Sequence, residues 1–210
     1  MDLKLEAEKT YFSHIVKSGI LPQKISLSKK RADELITELS SINSFISDLA
    51  AHRQYGEVCK SLRQCKDTKI DLLANVLCVF NSSINYTKIF RHLLGDHIDL
   101  KSQSLEVLKG AIGPKRMDAV ISILEPPKKR ESALTPIQVL ENLADLQDQR
   151  TLLSIITLIN AESFPDFKNF LLKCLQSGPE GVRKPSLENL FRYEEDKEFI
   201  CLLYTSDAAD

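Results

Sequence analysis

Apolar residues recur along this chain mostly at spacings of three and four, the period of an amphipathic helix, and seldom in the strict alternation of a half-buried strand. The clearest stretch follows Ser28, where Ala32, Leu35, Leu39, Ile42, Ile46 and Leu49 form a stripe that Ile36, Phe45 and Ala50 widen. A face this wide, sustained over three heptads at most, predicts a core-facing helix in preference to the narrow seam of a dimeric coiled coil. Two segments are apolar around most of their circumference: Ile70, Leu72, Leu73, Val76, Leu77, Val79 and Phe80, and later Leu152, Leu153, Ile155, Ile156, Leu158 and Ile159. Their β-branched content would also suit buried strands. Neither is followed by hairpin turn chemistry, so both are read as helices covered on several sides.

Glycine and proline fall almost wholly between the periodic segments, at Gly19, Pro22, Gly95, Gly113, Pro114, Pro126, Pro127, Pro136, Pro165, Gly178, Pro179, Gly181 and Pro185. They punctuate a helical text. Thr135, Pro136, Ile137 and Gln138 make the best start signal: the threonine hydroxyl can accept from orphan amides, proline suits the first helical position, and the glutamine can reach back. Ser163, Phe164, Pro165 and Asp166 repeat the logic. Starts near residues 68, 102, 136 and 166 are 34, 34 and 30 residues apart, the range of two-helix repeats. The fold expected is all-α, built of short helical hairpins as a degenerate α-solenoid, with an irregular helical bundle as the alternative. The blocks match neither the tetratricopeptide nor the ankyrin consensus. Residues 1–200 are read as a single helical domain, or the N-terminal part of a larger helical protein, with a hinge at 125–135 where Pro126 and Pro127 end any helix.

The chain has 210 residues and 43% hydrophobic content, enough to bury a sizeable core. Its 28 basic and 29 acidic residues leave a net charge of -1, so no global field favours nucleic acid or membrane, and partners must be selected by local surface. Charges at every second or third position of the first nine residues rule out a secretory apolar core there, and no apolar run approaches a membrane span. The five cysteines, at 59, 65, 78, 174 and 201, include no CxxC pair and suggest buried thiols in a reducing compartment. The expected location is intracellular, cytoplasmic or nuclear. The acceptor patterns at Asn81 and Asn85 then carry no sugar.

Residues 201–210 break the pattern and resemble the translated read-through of a sequencing adaptor. They are expected to be a non-native tail, with the native chain continuing past residue 200. Without the tail the balance becomes +1 and the thiols number four.

Candidate chemistry is sparse. His92, Asp96 and His97 could seed a metal site, but the glycine between the imidazoles separates their faces and no third ligand is signalled, so His92 is read as a cation near a helix C-terminus. Cys59 and Cys65 sit among Lys60, Arg63 and Lys66, a setting that lowers thiol pKa values, yet no histidine and acid are in place to make a nucleophile of either. Glycine-rich phosphate loops, GxSxG, HExxH and EF-hand spacings are absent. The acidic run at Glu194, Glu195, Asp196 and Glu198 reads as a solvated surface. No catalytic residue, cofactor or metal is expected.

Three basic clusters are the candidate contacts with an anion or partner: Lys29, Lys30 and Arg31; Lys115 and Arg116; and Lys128, Lys129 and Arg130. The first is physically odd, because cations in the opening turn of a helix oppose its dipole. Either the helix begins nearer Ala32, or an anion neutralises the turn. The third follows Pro127 in the manner of a minimal nuclear-import signal. The function expected is a non-catalytic scaffold or adaptor that binds protein partners. The alternatives are a nucleic-acid-binding helical module using the three clusters, which requires them to share a face, and a regulatory domain of a larger enzyme. No membrane partner is expected.

Overall fold

The computed structural model describes residues 7–8, 10–12, 14, 22–79, 83–125, 134–159 and 167–191, with backbone alone at 22–25. The predicted tail, the cluster at Lys128, Lys129 and Arg130, and the start at Ser163 lie outside the described residues. Among those residues every regular element is a helix: α1 (Pro22–Leu49), a 3-10 turn (Arg53–Tyr55), α2 (Gly56–Cys78), α3 (Tyr86–Leu94), α4 (Ile98–Ile112), α5 (Pro114–Leu124), α6 (Pro136–Ala144), α7 (Gln149–Ile156), α8 (Phe167–Ser177) and α9 (Glu180–Leu190). The all-α class expected from the periodicity holds, and no described helix is long and apolar enough to cross a membrane.

The chain divides into two compact units, one of residues 1–51 and 62–130, the other of 52–61 and 131–210. In the first unit, α1 supplies the anticipated stripe, with Ala32, Leu35, Leu39, Ile42, Ile46 and Leu49 all buried. Each large aliphatic side chain so placed contributes about 1.5–3 kcal/mol before the entropy of ordering is subtracted. Ala32, Leu35, Ile36 and Leu39 share one core with Ile70, Leu72, Leu73, Val76 and Leu77 of the later part of α2, together with Tyr86 and Phe90 of α3, Leu108 of α4 and Val120 and Ile123 of α5. Helices α3, α4 and α5 pack pairwise, and α5 also lies on α1. Asn85 caps α3 by accepting from the Lys88 amide at 3.0 Å, and Gly113, at φ 79° and ψ 160°, turns the chain between α4 and α5 in backbone space that only glycine enters readily.

The second unit packs α8 against α6 and α9, and α9 also against α7. Its core includes Tyr55, Val139, Leu140, Leu143, Leu152, Ile155, Phe167, Phe170, Leu171 and Val182. Helix α6 starts where the sequence predicts: Thr135 Oγ1 accepts from the Gln138 amide at 3.3 Å and Gln138 Oε1 accepts from the Thr135 amide at 2.9 Å, a complete capping box. Gly178 ends α8, its amide donating to the Cys174 carbonyl at 3.0 Å. A Cβ there would collide with that oxygen.

Three expectations need correction. Helix α1 begins at Pro22, several residues before Ser28, because proline is suited to the first turn and nothing between it and Lys30 breaks a helix. The cluster at Lys29 to Arg31 therefore lies two turns inside, and its conflict with the dipole disappears. The starts near 68 and 102 fall inside α2 and α4, so the regular interval does not mark helix beginnings. Gly181 and Pro185 do not punctuate either; α9 runs through both because Val182, Ser186 and Leu190 bury one continuous stripe, which offsets the hydrogen bond that Pro185 cannot donate.

Candidate functional site

Helix α1 carries its polar residues toward the later part of α2, where they form a partly buried charged seam. Arg31 donates to Glu38 at 3.0 Å and to Glu8 at 3.2 Å, with Glu34 at 3.4 Å. Burial opposes its charge, but Glu38 and Glu8 outweigh that and raise its pKa above the ordinary value. Glu38 also takes Lys69, whose side chain is only 5% exposed. One helical turn and a little more along, Lys66 donates to Asn43 Oδ1 at 2.7 Å, and burial lowers its pKa. Pairing 43 with 66 and 38 with 69 runs the two helices antiparallel. The carboxylates that engage Arg31 of the first basic cluster are thus the chain's own.

Arg116 is also committed. Its Nε and one terminal nitrogen donate to the two carboxylate oxygens of Asp33 at 2.7 and 2.9 Å, joining α5 to α1. The Arg116 hydrogen bonds hold the Asp33 carboxyl below its usual range. Of the eight cluster residues, the structure brings Lys29, Lys30, Arg31, Lys115 and Arg116 onto α1 and the start of α5. Both arginines are engaged by carboxylates, and Lys29, Lys30 and Lys115 stay exposed.

The other candidate chemistry is dispersed. His92 lies in the last turn of α3, with Nδ1 3.4 Å from Ser104 Oγ, whereas His97 is exposed at the start of α4 and makes no side-chain cap. Among the described residues no three or more His, Cys, Asp and Glu side chains gather as metal ligands. Cys59, Cys65 and Cys174 are buried and Cys78 is half-buried, none in a disulfide. Burial pushes the Cys174 thiol up to about 12 and raises that of Cys78. Thiols held protonated in this way are poor nucleophiles.

An apolar notch, which the sequence analysis did not single out, lies where α3, α4 and α5 meet. Leu93, Leu94, Leu105, Ile121 and Leu124 line about 260 Å³ together with the charged Lys101 and Glu125. Leu94 is 50% exposed, and Ile98, on the Lys101 and Leu105 stripe of α4, is 78% exposed. Leu93, Leu105, Ile121 and Leu124 are partly buried against the core of the first unit, so Leu94 is the one aliphatic lining residue that is largely exposed. Each residue reads locally as an ordinary member of an amphipathic helix, and only the packing of three helices gathers them. The one local sign is Ile98, three residues beyond Gly95 and free of any helix before it. No family model, curated protein or solved structure matches this chain.

Proposed function

We propose that this chain is a non-catalytic scaffold or adaptor that binds a protein partner through the α3–α4–α5 notch. The observation that carries the reading is the concavity lined by Leu93, Leu94, Leu105, Ile121 and Leu124 beside the exposed Ile98. Binding energy at interfaces concentrates in aliphatic or aromatic anchors seated in small desolvated pockets with a charged rim, and Lys101 and Glu125 supply such a rim. The matching partner presents one apolar anchor flanked by polar residues. A nucleic-acid role draws less support, because Arg31 and Arg116 would have to abandon carboxylates to reach phosphates.

The test compares affinity capture on the full chain with capture on a Leu94→Lys, Ile98→Lys double variant. Both side chains are exposed, so the variant should fold. A partner retained by the parent chain and reduced about tenfold or more on the variant is the expected result. Equal recovery on both baits, or none on the parent chain at low salt, overturns the reading.

A further inference from the structure

A second concavity, about 590 Å³, lies between α1 and the α4–α5 junction of the first unit, a size typical of ligand clefts at roughly 300–1,000 Å³. Its lining includes Ile36, Ile112 and Ala119, an apolar set, alongside Asp33, Lys115 and Arg116. Both oxygens of Asp33 are taken by Arg116, so the one carboxylate among these residues is already neutralised. Lys115 is exposed and makes no ion pair among the described residues, and the same is true of Lys29, one turn before Asp33 on the same stripe of α1. The positive end of α5 adds to this field: its N-cap, Gly113, offers no side chain, and its first turn has no acidic residue. The groove therefore joins an apolar lining to two lysines that make no ion pair among the described residues, although Lys115 lies close enough to Asp33 to help hold that carboxyl ionised.

We propose that this groove docks an acidic peptide segment of a protein partner, seating an aliphatic side chain against Ile36 and Ile112 and placing carboxylates against Lys115 and Lys29. The proposal rests on the protein-binding reading above but uses a different surface. Charge complementarity selects the occupant. A nucleic acid fits less well, since among the described residues no aromatic ring lines the groove to stack a base and the aliphatic lining gives a sugar-phosphate chain nothing to bury.

The test selects random peptides displayed on phage against the full chain, then titrates the isotopically labelled protein with a selected peptide. Acidic peptides containing at least one aliphatic residue should emerge, with backbone amide shifts concentrated at Thr37, Gly113 and Ala119. Lys29→Glu with Lys115→Glu should weaken binding by about tenfold or more, most at low salt. Glutamate at 115 suits the start of α5, so lost binding would not reflect a lost helix. Leu94→Lys with Ile98→Lys should leave peptide binding unchanged. Neutral or basic selected peptides, shifts elsewhere, indifference to the charge reversal, or tighter binding of a single-stranded oligonucleotide of equal charge would each overturn the proposal. Partner capture abolished by the notch variant while peptides ignore the groove removes this proposal alone. Peptide docking in the groove with capture unaffected by the notch variant removes the notch reading alone.

Discussion

In the unit formed by residues 1–51 and 62–130, α1 and the later part of α2 meet through charge as well as through aliphatic packing. Glu38 is shared between Arg31 and Lys69, and Lys66 reaches Asn43. In the unit formed by residues 52–61 and 131–210, rings take that place: Tyr55, Phe167 and Phe170 pack edge to face, with centroids 6.1 and 5.9 Å apart. There the ion pair of Lys173 with Asp145 lies at the surface. Aliphatic stripes on two long helices can slide past one another with little loss, whereas a buried cation facing its carboxylate admits one register. Short helices around interlocking rings need no such device, because the rings already fix their neighbours.

The largest effect should come from the aromatic unit. Phe167→Ala removes a fully buried ring and should cost about 3–5 kcal/mol in denaturant unfolding, with hydrogen exchange rising first in α6, α8 and α9. Glu38→Ala takes away the carboxylate that Arg31 and Lys69 share and should cost about 2–3 kcal/mol, somewhat below the range for fully buried pairs because Glu38 is partly exposed. Exchange should then rise along α1 and α2. If Glu38→Ala proved neutral, the seam would be decoration and the contrast between the units would fall.

Smaller changes sharpen the same contrast. Thr135→Ala should cost about 1 kcal/mol by opening the capping box of α6, measured as a lower urea midpoint at unchanged slope. Asp33→Asn should cost about 0.5 kcal/mol at neutral pH, since this pair is largely exposed. Because the folded Asp33 carboxyl titrates below its ordinary 3.8, the pair's stabilisation is fully present above that value and is lost as pH falls below it. The parent and Asp33→Asn proteins should therefore converge in stability on acidification.

Elements whose causes are local were legible in the sequence. The α1 stripe from Ala32 to Leu49 and the Thr135 capping box are patterns within a few residues, and both appear as read. What escaped depends on distant residues. Arg31 reaches Glu8 across 23 positions and Arg116 reaches Asp33 across 83, so two apparent surface cations are structural ties. Pro185 inside α9 escaped because burial of Val182, Ser186 and Leu190 overrides a local breaker. The notch escaped for the same reason in reverse: Leu94, Leu105 and Leu124 look like core residues on their own helices, and their lining of one concavity is a product of how three helices meet.

Placing a photo-crosslinking amino acid at Leu94 of the full chain in cells tests the protein-binding claim most directly. The account predicts crosslinking to a discrete protein that vanishes when Ile98→Lys is added. Crosslinking no stronger than from the exposed Lys184 of α9, or unchanged by Ile98→Lys, would contradict it.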